Sequence, residues 1–190
     1  MRLKKIGLLL LLIMTPLILM ANSIGWKVIK NSLFCVTLPD DWVPIEGMPG
    51  DGTEPGRREA RGFLIRYFAW NTPLKDKKDI PNHLGIEIDL YEKLDKSDVT
   101  LPYIEKKVAL LNALSVEILA SSNEAKSFIV FRNSKEMDGS TVRYRSYYLL
   151  KKRGLQILCA QISMRDNLIK SKPDVEEVVR KILNSIALGK

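Results

Sequence analysis

The sequence offers little material for catalytic or metal chemistry. Its 190 residues hold one histidine, His83, and two cysteines, Cys35 and Cys159. A cysteine–histidine nucleophile would need one of those thiols beside His83, and nothing in the local sequence suggests it. No Gly-x-Ser-x-Gly, P-loop, Gly-x-Gly-x-x-Gly or His-Glu-x-x-His pattern occurs, so the common hydrolase, nucleotide and zinc-protease signatures are missing. Two carboxylates alone can hydrolyse a glycoside, but the sequence gives no reason to propose it. No internal repeat or low-complexity tract interrupts the chain. No cofactor is expected, and the chain is read as non-enzymatic.

Acidic residues are absent from the first 23 positions, where Arg2, Lys4 and Lys5 precede an apolar run from Ile6 to Met20. Ala21-Asn22-Ser23 supplies small residues at a cleavage boundary. This is the layout of a secretory signal peptide. The run is shorter than the ~20 residues a spanning helix needs, and Pro16 breaks it. Residues 1–23 are therefore expected to be a signal segment and 24–190 a single domain. An uncleaved anchor is the alternative, and it is the one route to a membrane. No Cys stands at the boundary to carry a lipid. The expected location is periplasmic or extracellular.

The whole chain carries a formal charge of +8; without its first 23 residues, 27 basic residues face 22 acidic ones. An excess of +5 suits an anionic partner, and it suits plain solubility equally well.

Alternation and helical periodicity supply the fold class. Leu84 to Tyr91 alternates apolar and polar residues, the mark of a strand with one buried face. Pro102 to Leu114 switches to helical spacing, with Ile104, Val108, Leu111 and Leu114 on one face. Further strands are expected over Trp26–Ile29, Leu33–Leu38, Arg61–Trp70, Val116–Leu119, Ser127–Phe131, Thr141–Leu150 and Leu155–Ile162. Met137 to Ser140 reads as a hairpin turn, and Gly47–Gly56 and Asn71–Asn82 as loops. Ser171-x-x-Asp174 resembles a capping box before an amphipathic helix through Val175, Val178, Val179, Ile182, Leu183 and Ile186. Short links between strands favour an antiparallel α+β sandwich over a doubly wound parallel sheet.

Three groups of side chains stand out. His83, Glu87 and Asp89 share one strand face. Same-face neighbours lie ~6.7 Å apart, so Glu87 and Asp89 are close enough to share a cation, while His83 sits ~13 Å from Glu87 on a regular strand. The simpler reading is a polar strand face. Arg143, Arg145 and Tyr147 share a face of a later strand. They would suit an anionic envelope component, or they would pair across the sheet with carboxylates such as Glu87 and Asp89. Nucleic acid is not expected as a partner of an exported chain. Export also permits a Cys35–Cys159 disulfide, although buried free thiols are common.

Phe34-x-Val36-x-Leu38-Pro39-Asp40-Asp41-Trp42 resembles the opening of PsbP-like domains, including the bacterial DcrB-like group. The Tyr-rich strand, Gly turn and following strand are similar to theirs, and so is the closing segment Val178–Leu188 with Ile182-Leu183-Asn184-Ser185-Ile186. The resemblance covers residues 26–188. It implies an antiparallel sheet between helices. The members include an extrinsic photosystem II protein, a Ran-binding nuclear protein, effector chaperones and exported bacterial proteins. They share no catalytic site, so none is implied here. The resulting expectation is an exported, non-catalytic accessory or binding protein acting on a protein or envelope surface. The alternative is a small-ligand or cation-binding, enzyme-like domain using Glu87 and Asp89.

Overall fold

The computed structural model describes residues 25–30, 33–45, 63–71, 83–92, 100–136 and 138–189. The expected signal segment 1–23, the loop 47–56 and residues 72–82 lie outside the described residues.

Among the described residues, ten strands pair antiparallel, in two sheets. The smaller has the order β1-β2-β10, with β1 at Trp26–Lys30, β2 at Phe34–Pro39 and β10 at Ala187–Leu188. The larger has the order β3-β4-β5-β9-β8-β7-β6. Its strands are β3 (Val43–Ile45), β4 (Phe63–Trp70), β5 (Gly85–Glu92), β6 (Ser115–Ser121), β7 (Ala125–Lys135), β8 (Thr141–Arg153) and β9 (Gln156–Arg165). The β7–β8 and β8–β9 links turn at Gly139 and Gly154, whose φ values of 81° and 57° favour a residue without a Cβ. The fold class is the expected α+β.

One face of the large sheet carries the main core. Ile86, Ile88 and Leu90 of β5 meet Leu158, Ala160 and Ile162 of β9, with Tyr147 and Leu149 of β8 beside them. Phe34, Val36 and Leu38 of β2 join them, as the alternation of that strand predicts. Helices α2 (Asp166–Ser171) and α3 (Asp174–Ser185) close this side with Leu168, Val179, Ile182 and Leu183. Ile182 is fully buried, and truncation to Ala costs about 2–5 kcal/mol at such a site. The expected capping box does not form. Ser171 ends α2 and donates to the Leu168 carbonyl, and the residue before α3 is Pro173.

The other face is only partly covered. Helix α1 (Leu101–Ile104) passes directly into a π-helical turn, Glu105–Ala109, whose Leu110 N–H reaches back to the Glu105 carbonyl at 2.8 Å. Together they cover a second cluster of Tyr91, Phe128, Tyr148, Leu150, Ile157 and Cys159. The helical stripe expected to run to Leu114 stops at Ala109. The wider π turn takes an extra residue, Asn112 then adopts a left-handed φ of 58°, and Leu111 and Leu114 emerge 57% and 60% exposed. No helix among the described residues is long and apolar enough to cross a membrane.

Candidate functional site: an open polar groove across the large sheet

Beyond the reach of α1, the covered face changes chemistry. Along β9 the positions on that face run Ile157, Cys159, Gln161, Ser163. Along β8 they run Leu150, Tyr148, Ser146, Tyr144. Strand register aligns the change. Glu87 of β5 lies opposite Gln161, which lies opposite Tyr148; Gly85 lies opposite Ser163, which lies opposite Ser146. The polar residues therefore form transverse rows rather than scattered points.

These rows floor a depression of 430 Å³ bounded on the β7 side by Arg132, Asn133 and Ser134 and at one end by Leu111. A recess of 170 Å³ adjoins it, walled by Phe68, Trp70, His83 and Glu87. Gln161 and Ser163 line both. The two hollows make one groove that crosses β4, β5, β9, β8 and β7.

The floor is internally hydrogen-bonded. The Oγ atoms of Ser146 and Ser163 are 2.8 Å apart, and Gln161 Nε2 donates to Ser163 Oγ at 2.6 Å. On one wall Arg132 donates to the carbonyls of Leu111, at 2.9 Å, and Ala109, and its guanidinium lies 5.6 Å from the centre of the Tyr148 ring. Arg132 thus ties the end of the π turn to the sheet. Burial pushes the Tyr148 phenol up to about 12. Farther along, the Tyr144 hydroxyl donates to Glu136 at 2.6 Å and Arg165 pairs with the same carboxylate at 3.2 Å. Burial, with the Glu136 contact, holds the Tyr144 phenol above its ordinary value.

The residues singled out in the sequence fare differently. His83 and Glu87 meet in the recess. His83 precedes the strand, so regular spacing does not govern it; its ring packs edge-on against Trp70 at 4.7 Å and stands over Gly85. Asp89 does not line the groove. It is buried farther along β5 and accepts a hydrogen bond from the Tyr91 hydroxyl at 3.2 Å. Among the described residues, no three His, Cys, Asp or Glu side chains group closely enough to hold a metal ion.

The expected Arg143–Arg145–Tyr147 face is not an open one. Tyr147 is wholly buried in the main core. Arg145 donates to Asp166 at 2.8 Å and to the Tyr147 hydroxyl at 3.2 Å. Arg143 is half exposed, 3.8 Å from Asp166, with its guanidinium 4.6 Å from the Phe131 ring centre. Pairing of these arginines with Glu87 and Asp89 does not occur, because register puts Glu87 on the Tyr148 face and Arg145 on the opposite one. The carboxylate that serves them is Asp166 of α2.

Cys35 and Cys159 are not bridged by a disulfide. Cys159 lies in the cluster under α1. Cys35 points away from the main core, since Phe34 and Val36 on either side point into it. The core separates the two, and no disulfide forms.

Sequence reasoning missed most of the groove: Trp70, Arg132, Asn133, Ser134, Tyr144, Ser146, Gln161 and Ser163. One signal was available. Strands β8 and β9 are apolar on both faces for half their length, so Ser146, Gln161 and Ser163 mark where cover ends.

No family model and no curated protein sequence matches the chain. Solved structures do. The Ran-binding protein Mog1p of Saccharomyces cerevisiae superposes with a TM-score of 0.51 at 12% identity, covering 87% of this chain and 96% of that one. LpqN of Mycobacterium tuberculosis, involved in cell envelope biogenesis, gives 0.48 at 10% identity over 87% and 91% of the two chains. The cyanobacterial PsbP of Synechocystis gives 0.46 at 7% identity over 87% and 93%. The fold likeness rests on the first of these, and a Ran-binding nuclear protein is among the members named by the sequence resemblance. The chain has a PsbP-like α+β fold, and identities this low carry the fold and no activity.

Proposed function

We propose that the protein is an exported, non-catalytic binding or accessory protein of the cell envelope, and that the groove across the large sheet is its recognition surface. The observation that carries this reading is the continuity of the two hollows through Gln161 and Ser163. A concave site with convergent polar groups on a rigid scaffold is the usual form of a ligand site. The basic and apolar pattern of residues 1–23 supports export. Mog1p, described as Ran-binding, is a protein-binding member of the same fold class.

The groove's hydroxyls and amides bond to one another, as Ser146, Gln161 and Ser163 do, which suits recognition through shape and hydrogen bonding. The test uses Ser134→Trp, which sets a bulky ring on the exposed rim, on the same face of β7 as Arg132, while leaving the core untouched. The full chain should retain an envelope component from its own cells, and this variant should lose that retention at unchanged melting temperature. Equal retention by the variant counts against the groove.

A further inference from the structure

Resting on the groove as recognition surface, we infer that its ligand is a neutral oligosaccharide chain. Three features of the groove lead there. The first is the type of hydrogen-bonding group. Ser134 on the rim and Ser146, Gln161 and Ser163 on the floor are hydroxyls and an amide, and all of them both donate and accept. A sugar hydroxyl does the same. The chain from Gln161 through Ser163 to Ser146 is already ordered, so a ligand hydroxyl joining it enters a mutually polarised network.

The second feature is charge. Arg132 is committed to the carbonyls of Ala109 and Leu111, and Arg165 is paired with Glu136. A phosphate or carboxylate ligand would call for a cation directed at it, and these two are directed elsewhere. Phe68 and Trp70 at one end supply apolar surface for the C–H faces of a pyranose ring.

The third feature is direction. The groove crosses the strands in the middle of the sheet, and four interstrand steps from β4 to β7 span about 19 Å. That length suits several sugar units rather than one. An extended peptide is recognised by a sheet through an exposed strand edge. Here β4, β5, β9, β8 and β7 are each hydrogen-bonded to neighbours on both sides, so a peptide laid across them would find no backbone to pair with.

The test is a titration of the isotope-labelled full chain, followed by amide shifts, with maltohexaose, chitohexaose and xylohexaose as separate probes. At least one should give saturable shifts confined to residues 68–70, 83–87, 132–134, 144–148 and 161–163. Gln161→Ala and, independently, the exposed Ser134→Trp should each weaken it tenfold or more, while Arg143→Glu on the opposite face should leave it unchanged. Absence of shifts with all three probes at ~10 mM, beyond the range of a useful millimolar Kd, overturns the saccharide assignment. If a displayed peptide library instead selects binders whose shifts fall in this same groove, the ligand class is wrong and the groove remains the recognition surface. If every selected binder, saccharide or peptide, shifts residues elsewhere, both are wrong.

Discussion

Ser146 and Ser163 face each other across β8 and β9 with their Oγ atoms 2.8 Å apart. They mark the line where the large sheet passes from apolar cover to open groove. One strand position away, toward α1, the same face holds Tyr148 stacked on Phe128 at 5.4 Å between ring centres. A buried hydroxyl needs a partner; buried Ser146 has Ser163, and Ser163 also accepts from Gln161. Replacing Ser163 alone leaves buried Ser146 short of that partner, whereas replacing Ser146 alone leaves Ser163 with Gln161; replacing both by Ala is milder per residue.

Arg145 should prove structural and Arg143 nearly neutral. Arg145→Glu removes the bonds to Asp166 and Tyr147 and sets a carboxylate beside Asp166, in a setting where both partners are mostly buried. The expected loss is about 2–3 kcal/mol, seen as a fall of several degrees in melting temperature. Arg143→Glu, on a half-exposed side chain, should stay within about 0.5 kcal/mol. Thermal melts of the two single variants check the contrast.

Arg132→Ala should loosen α1 before it affects the rest. It deletes the donors to the Ala109 and Leu111 carbonyls, a loss of about 2 kcal/mol. Hydrogen exchange of the amides in 104–110 should accelerate while β5 and β9 keep their protection. Uniform acceleration across the sheet would mean that α1 does not open as its own unit.

Stability should decline in alkali, and Tyr148 should account for part of the decline. Its folded pKa is raised to about 12 by burial, against an ordinary value of about 10. A raised folded value means the contribution is fully present below about pH 10 and is lost as pH rises toward 12. The span corresponds to roughly 2–3 kcal/mol. Tyr148→Phe should flatten the decline between those limits; an unchanged slope would show that this phenol does not titrate with unfolding.

A reducing agent should leave the melting temperature unchanged, because Cys35 and Cys159 form no disulfide, Cys159 lying in the cluster under α1. A drop on reduction would reveal a bridge that this fold does not form.

On the proposed export, the mature protein should begin near Asn22 or Ile24, read by intact mass. A chain that keeps Met1–Ala21 in the membrane pellet would instead be anchored.

Strands were legible wherever one face is buried throughout, as in Phe34-Val36-Leu38 and Ile86-Ile88-Leu90. The closing helix was legible because Val179, Ile182 and Leu183 repeat at helical spacing over three turns. Short elements were not. β3 and β10 hold three and two residues and exist through their partners, β4 and β2. The single turn and a half of α2 is secured by Leu168 in the core rather than by periodicity. The π turn was invisible, because Leu111 and Leu114 continue a 3.6-residue pattern that the backbone abandons at Glu105. In the site, charge drew the eye to Glu87, Asp89, Arg143 and Arg145. Of these, Asp89 and Arg145 are structural, with Tyr91 and Asp166 as their partners. The groove's neutral residues acquire meaning only from which strands become neighbours, and β5 next to β9 is a pairing across some 70 residues of chain that local pattern does not reveal.

The central claim is that recognition happens on the open part of the large sheet. Hydrogen–deuterium exchange of the full chain, with and without its own envelope fraction, tests it most directly. The account predicts added protection in β7 around 132–134 and in the floor segments 144–148 and 161–163, with α3 and the small sheet unaffected. Protection confined to α3, or to the Arg143 side of the sheet, would contradict it.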